Sequence, residues 1–153
     1  MTTGYDTDFS MWAKEQAQRI RSRQWHLLDV DNLAEEVDAI ARSEYRELRS
    51  TVTMLLRCEL LAMHLNADQA QAYEGEISFL RLQANAILED SPSQRDKFES
   101  MLPSLYAFVA NQVHDQLQSV ISVDELFSIM RDWSLEKVLK GDIPVPGEFN
   151  AVK

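Results

Sequence analysis

Turn-forming residues and cysteine are scarce in this chain. Its 153 residues include only four Gly, four Pro and one Cys. So few turn residues favour helices over a many-stranded sheet, which needs a turn at each strand end. They also leave no room for a glycine-rich phosphate loop. A single cysteine excludes an internal disulfide and is typical of a protein from a reducing compartment.

Positive charge and long apolar runs are also lacking. The formal net charge is −10, which disfavours binding to nucleic acid or an anionic membrane, since phosphate contacts need Lys and Arg. No apolar run approaches the length of a membrane span. The N-terminus has neither a basic region nor an apolar run, so we predict no signal peptide. We therefore predict a cytoplasmic protein that binds neither nucleic acid nor membranes.

Potential metal and nucleophile residues are few and scattered. The three histidines, His26, His64 and His114, lie far apart, and none has a Glu three residues before it, as carboxylate di-iron bundles require. Cys58 has no base beside it in the sequence, which favours a buried, inert thiol. We therefore predict no metal and no cofactor, and we assign no catalytic residue.

One long helix is predicted at about residues 32–65, with no Gly or Pro to interrupt it. Its apolar stripe at helical spacing is Leu33, Val37, Ile40, Leu48, Leu55 and Ala62. Asp29, Asp31 or Asn32 could cap its start, and Asn32 with Glu35 fits a capping box. The fold class predicted is an all-α bundle around this helix, in a single domain over residues 1–153.

Shorter helices are predicted on both sides of the long one. Residues 1–5 should be a loose arm, followed by a helix from Asp6 or Asp8 whose apolar face is Phe9, Trp12, Ala13, Ala17 and Ile20. A third helix has the face Tyr73, Ile77, Leu80, Ala84 and Leu88. The motif Ser91-Pro92-Ser93-Gln94 predicts the start of a fourth, with Ser91 as its cap.

The C-terminal third predicts a broken helix and two short ones. Pro103 should kink or break the fourth helix near Met101. Ser122 with Glu125 forms a capping box for a helix through Met130. A last helix, residues 135–139, should be capped by Ser134 and ended by Gly141. Residues 142–153 should form an extended tail.

Four arginines follow the long helix at helical spacing: Arg42, Arg46, Arg49 and Arg57. They could form a basic strip for an acidic partner. The interpretation that we favour is a solvated face of mixed charge, because Asp and Glu are interspersed with them. Asp38 and Arg42 are four residues apart, in the orientation that favours an ion pair.

Three charged residues interrupt the apolar faces of two helices. Glu44 and Glu59 lie on or near the long helix's stripe, and Arg81 lies among the apolar residues of the third helix. Each should either reach solvent or be buried with a partner, because an unpaired buried charge is costly. If the two helices are antiparallel, Glu59 faces roughly residue 78 and should pair with Arg81. Glu44 would face roughly residue 93, too far from Arg81 to compete, and the alternative for Arg81 is an extended side chain that reaches water.

The chain resembles the bacterial domain of unknown function family 29. The resemblance rests on Tyr5-Asp6-x-Asp8-Phe9-x-x-Trp12, Gln16, Leu28-Asp29, Leu33-Ala34-Glu35-Glu36, Arg42-Ser43-Glu44, Leu48, Arg81, Leu88 to Ser93, Trp133 to Leu139 and Asp142-Ile143-Pro144. It implies an all-helical bundle with no established activity. Cys58-Glu59-Leu60-Leu61 and Ala72-Tyr73 depart from the family, which typically has His-Leu-Leu-Lys and Ser-Trp there.

Two functional hypotheses follow. The first is a non-catalytic interaction module or small homo-oligomer, with an unknown protein partner or a second copy, because no catalytic constellation accompanies the regular helix pattern. The second is an enzyme or small-ligand binder with a polar pocket on the bundle. Its candidate residues are Asp8, Glu36, Glu44, Glu59 and Arg81.

Overall fold

The structure is a computed structural model, and it describes residues 4–118 and 120–143. Every regular element within these ranges is helical, as the sequence predicts. The elements are α1 (Phe9–Arg21), a 3-10 turn (Trp25–Leu27), α2 (Val30–Ala62), α3 (Ala67–Asp90), α4 (Gln94–Gln116), α5 (Val123–Met130) and α6 (Leu135–Lys140). None of these helices is long and apolar enough to cross a bilayer.

Backbone contacts group the chain into two compact units, Met1–Ser43 and Glu44–Lys153. Helix α2, with 33 residues, contributes to both. The single-domain organisation stays a prediction.

The second unit has the larger apolar core. Ile77, Leu80, Ala84 and Leu88 of α3 are buried as predicted, and Phe98, Leu105 and Val109 of α4 are almost fully buried with them. Each large side chain removed from water in this way contributes about 1.5–3 kcal/mol. Helices α5 and α6 complete this core with Leu126, Met130, Leu135 and Val138.

The short C-terminal helices begin and end as the sequence predicts. Ser122 and Glu125 form the reciprocal capping box of α5. The Ser134 side chain caps α6, accepting from the Lys137 N–H. Gly141 ends α6 in the left-handed conformation, with φ 77°, where a side chain would be strained.

The first unit is organised around Trp12 of α1. Its side chain is 4% exposed, and its indole N–H donates to Asp29 Oδ2 at 3.1 Å. The Tyr5 ring packs edge-on against it with centroids 4.9 Å apart. Phe9 and Ile20, predicted for the same buried face, are instead 51% and 42% exposed. The prediction of a buried side chain is thus confirmed for Trp12 and is wrong for Phe9 and Ile20.

The start of α2 differs from the predicted capping box. The helix begins at Val30, and the Asp29 carbonyl accepts the Leu33 N–H at 3.0 Å. Asn32 therefore lies inside the first turn, and its side chain donates to Asp29 Oδ2 at 2.8 Å instead of capping the helix. Asp29 directly precedes the first helical residue, and its carboxylate accepts hydrogen bonds from both Trp12 and Asn32.

The predicted apolar stripe of α2 is only half buried. Leu48 and Leu55 are fully buried, but Val37 and Ile40 are 64% and 63% exposed. Helical periodicity identifies residues that share a face, and it does not show whether another element covers that face.

The start of α4 also differs from the prediction. The helix begins at Gln94, Pro92 lies in the preceding turn, and the Ser91 hydroxyl donates to Glu44 instead of capping the helix. Of the two alternatives predicted at Pro103, the break is wrong, since α4 continues through this residue, and the kink stays a prediction. Burial of Leu102 and Leu105 on either side holds the helix together despite the missing N–H.

The predicted arm and tail lie mostly outside the described residues, which exclude residues 1–3 and 144–153. At the end of the arm, the Tyr5 phenol donates to Glu36 Oε1 at 2.6 Å. At the start of the tail, Ile143 is buried in the apolar core of the second unit. Tyr5 is therefore anchored to the first unit.

Candidate functional site

The structure pairs Arg81 of α3 with Glu59 of α2. The Arg81 Nη2 group donates to Glu59 Oε1, and the two side chains are only 25% and 12% exposed. The predicted pair is confirmed, and the alternative of an Arg81 side chain extended into water is wrong. The pair agrees with the predicted register, in which a short connection between the two helices places Glu59 opposite roughly residue 78.

Arg81 also fastens the end of α6. Its Nε donates to the Val138 carbonyl at 3.2 Å. Such carbonyls lack partners at a helix C-terminus, and a positive charge there also suits the helix dipole. Gly141 lies so close that an added Cβ would come within 2.8 Å of the Arg81 Cζ atom. Arg81 therefore links α2, α3 and α6, which is a structural task.

Burial raises the pKa of the Glu59 carboxyl above its ordinary value, and the neighbouring Arg81 charge and hydrogen bond offset only part of this rise. Removing a carboxylate from water is more costly here than the ion pair is favourable. A raised pKa at a buried group can mark an active site, but Glu59 already has a fixed partner in Arg81.

Glu44 lies elsewhere on α2. Its Oε2 atom accepts from the Ser91 hydroxyl at 2.7 Å and from Gln94 Nε2 at 3.3 Å. This confirms that Glu44 faces roughly residue 93. Fifteen residues separate it from Glu59, about 22 Å along the helix axis. Glu44 therefore joins the α3–α4 connection to α2 and does not meet the Glu59–Arg81 pair.

The other two candidate residues serve the first unit. Asp8 caps α1 by accepting the Met11 N–H at 2.9 Å. Glu36 accepts the Tyr5 phenol, and that hydrogen bond raises the pKa of Tyr5 to about 12. Both carboxylates thus have local structural partners. Of the five predicted pocket residues, the structure brings together only Glu59 and Arg81.

A second feature, which we call the basic groove, lies between α2 and α4. It has a volume of about 370 Å³ and is lined by Arg46, Arg49, Ser50, Thr53, Met54, Arg57, Phe108 and Gln112. Three arginines thus share one groove with no acidic residue among its lining. Met54 and Phe108 add apolar surface and are 37% and 50% exposed.

The arginines of the basic groove differ in how they are held. Both Nε and Nη2 of Arg57 donate to Gln116 Oε1, at 3.2 Å and 2.9 Å. The side chains of Arg46 and Arg49 make no ion pair or hydrogen bond within the described part of the chain. The expected Asp38–Arg42 ion pair is absent from the same part. Arg42, Arg46 and Arg49 are exposed, and the absence of this one pair does not decide between a solvated face of mixed charge and a basic strip for an acidic partner.

Helical spacing was enough to find the arginines of the basic groove, but not its other wall. Phe108 and Gln112 come from α4, more than fifty residues later. Their approach to α2 depends on how the two helices pack, and no local sequence motif predicts that packing.

Within residues 4–118 and 120–143, no group of three His, Cys, Asp or Glu side chains is placed to hold a metal ion. Metal binding by the whole protein is not tested by this observation, so its absence stays a prediction.

No curated protein and no solved structure matches the chain significantly. A family profile does match: Domain of unknown function DUF29, over residues 4–143. Those residues contain both units' described helices, the Glu59–Arg81 pair and the basic groove. Because the match covers nearly the whole sequence, the chain belongs to the DUF29 family.

Proposed function

We propose that this protein is a non-catalytic interaction module whose basic groove binds an acidic segment of a protein partner. The observation that carries the proposal is the set of three arginines that line one groove without an acidic neighbour in that lining. The protein as a whole has a net charge of −10, so this local group of positive charges is opposite in sign to the overall charge.

The chemistry of the groove favours carboxylates on a peptide. Guanidinium groups bind carboxylates through two parallel hydrogen bonds, and Arg46 and Arg49 have their donors available for this. Met54 and Phe108 offer apolar contact for a neighbouring side chain of the same segment. Nucleic acid is a poorer fit, since the acidic remainder of the protein would repel a long phosphate backbone.

The alternative, an enzyme with a polar pocket, has less support. Each residue of that hypothesis already has a partner that explains it as a helix cap, a connection between helices or an anchor for the N-terminal segment. These residues are Asp8, Glu36, Glu44, Glu59 and Arg81.

The proposal is tested with a fluorescein-labelled peptide of alternating Glu and Leu, followed by fluorescence anisotropy. We expect saturable binding that Arg46→Glu/Arg49→Glu weakens at least tenfold. A matched control, Arg95→Glu/Arg131→Glu, makes the same charge change at exposed positions outside the groove and should bind nearly as the wild type does. A peptide with Lys in place of Glu should not bind. Equal loss in both variants, or no binding by the wild type, would contradict the proposal.

A further inference from the structure

Helix α3 of the second unit has apolar residues on two opposite sides. One side is the buried face that packs into the core. At 100° per residue, a second apolar set lies on the other side of the helix. Phe79 and Leu82 of this set are 64% and 72% exposed. A helix that is apolar on both sides is normally covered on both. The members of the second set, all exposed, are Ala72, Gly75, Phe79, Leu82 and Ala86.

Acidic residues lie at both ends of the two large apolar side chains. Glu76 precedes Phe79 by one turn, and Glu89 and Asp90 follow Leu82 by two turns. These three acids are exposed, and their carboxylates form no ion pair or hydrogen bond within residues 4–118 and 120–143. The only cation of α3, Arg81, is already paired with a carboxylate of α2. We call the following residues, which share an arc of about 140°, the acidic face of α3: Glu76, Phe79, Leu82, Ala86, Glu89 and Asp90.

The two walls of the basic groove run side by side in the same direction. The Tyr45 hydroxyl of α2 donates to Met101 Sδ of α4 at 2.7 Å. Twelve residues further along α2, Arg57 donates to Gln116, fifteen residues further along α4. Between these two contacts, Phe108 of α4 comes level with roughly residue 50 of α2.

The basic groove and the acidic face have the same order of charged and apolar residues, with opposite charge. Measured along the helix axis from Arg57, the groove has apolar side chains at about 4.5 Å and 10 Å and its last arginine at about 16 Å. Measured from Glu76, the acidic face has apolar side chains at about 4.5 Å and 9 Å and its next acid at about 20 Å. An arginine side chain is long enough to span the remaining difference. With α3 of one copy antiparallel to α2 of another, the residues that come level are Glu76 with Arg57, Phe79 with Met54, Leu82 with Phe108, and Glu89 with Arg46.

We propose that the acidic segment bound by the basic groove is the acidic face of α3 of a second copy of this chain. This contact rests on the proposed function, since it fills the same groove. The groove and the face are different surfaces of one chain, so a first contact leaves one of each free, and the assembly adds further copies or closes into a ring. One helix in one groove is a small interface, so association should appear only at high protein concentration.

Two variants separate the two halves of the contact. Arg46→Glu/Arg49→Glu reverses the charge of the groove and keeps the acidic face. Phe79→Ser/Leu82→Ser removes the large apolar side chains of the face and keeps the groove. Neither variant can bind its own copies, but a mixture of them offers one intact groove and one intact face. All four positions are exposed, and unchanged far-ultraviolet circular dichroism shows that each variant is folded.

Sedimentation equilibrium measures the outcome. We expect the mean mass of the wild type to rise above that of the monomer with concentration, each variant alone to stay monomeric, and their equimolar mixture to form a one-to-one complex and nothing larger. The controls Arg95→Glu/Arg131→Glu and Val120→Ser make the same kinds of change at exposed positions elsewhere in the second unit, and they should associate as the wild type does. A monomeric wild type, self-association of either groove or face variant, or a mixture that stays monomeric would overturn the proposed contact.

The peptide assay distinguishes failure of this contact from failure of the proposed function. It is repeated with Phe79→Ser/Leu82→Ser, whose groove no second copy can fill. If this variant binds the Glu-Leu peptide while the wild type is monomeric at every concentration, the groove is a site for a foreign acidic segment; the second copy is then wrong and the proposed function stands. If the variant does not bind the peptide, the proposed function is wrong and the contact between copies is wrong with it.

Discussion

Replacing Arg81 and replacing Glu59 should lower the stability of the protein by unequal amounts, although the two residues form one ion pair. Removal of one partner from a buried ion pair costs about 3–5 kcal/mol, because the other charge stays buried without compensation. Since these side chains are 25% and 12% exposed, we expect Arg81→Gln to lower the free energy of unfolding by about 2–3 kcal/mol. That variant loses the hydrogen bond to the Val138 carbonyl as well.

Glu59→Gln should be much milder at neutral pH. The raised pKa means that the folded protein holds the Glu59 proton more tightly than the unfolded chain does. The folded state therefore loses stability relative to the unfolded state as the pH rises from about 4.5 through the raised value. Glutamine resembles the protonated acid and does not incur this loss. We expect Glu59→Gln to change the free energy of unfolding by less than about 1 kcal/mol at pH 7.

The double-mutant cycle is measured by urea denaturation at neutral pH and again below the Glu59 pKa. We expect a coupling energy of about 1 kcal/mol or more at neutral pH, which decreases as Glu59 becomes protonated. The matched control is Glu136→Gln/Lys140→Gln, an exposed pair on α6 whose coupling should be clearly weaker, because solvent screens it. A Glu59–Arg81 coupling below about 0.3 kcal/mol, or equal losses for the two single variants, would refute the reasoning.

Three further variants or treatments test single features. Gly141→Ala should lower the free energy of unfolding by about 1–2 kcal/mol from its positive φ and by more in total, because the added Cβ also meets the Arg81 side chain. In an Arg81→Gln background the total loss should be smaller; equal losses in urea denaturation of both backgrounds would show that Arg81 does not crowd the site. Trp12→Ala should lower it by about 3–5 kcal/mol, whereas Trp12→Phe, which loses the bond to Asp29 and part of the ring volume but keeps an aromatic side chain, should lower it less; an unchanged melting temperature of Trp12→Ala by circular dichroism would mean that the ring is exposed. Burial raises the pKa of the Cys58 thiol to about 11, so it should react far more slowly with Ellman's reagent at pH 8 in the native protein than in urea; equally fast reaction would contradict its burial.

Much of the fold follows from local chemistry that the sequence displays. Helix faces in the second unit were predicted because each apolar stripe finds another to cover it, and α5 was predicted because Ser122 and Glu125 satisfy one another's backbone groups without outside help. Ser91 has an equally good capping sequence, but its hydroxyl donates a hydrogen bond to Glu44, which lies on α2 nearly fifty residues earlier. Local motifs thus predict structure where no distant partner competes for the same polar group.

The candidate site was predictable only in part, for a related reason. Simple antiparallel geometry placed Glu59 beside Arg81 because both lie on α-helices joined by a short connection. Sequence spacing could not show that α6 returns to this pair through the Val138 carbonyl, since α6 is more than fifty residues from Arg81. For the same reason, sequence spacing could not show that Phe108 lines the basic groove.

Arg81 and Arg46 show how function can be separated from stability in this family member. Both are arginines on helices, but Arg81 lies among apolar residues of its helix, whereas Arg46 lies among charged ones. Arg81 is approached by a carboxylate and a helix end, so its charge is used within the fold. Arg46 faces an open groove and has no partner in the described chain. Exposed arginines lose little by staying solvated, so this alone would mean nothing. Arg46 is significant because two further arginines line the same groove, Arg49 and Arg57, and no acidic residue lines it.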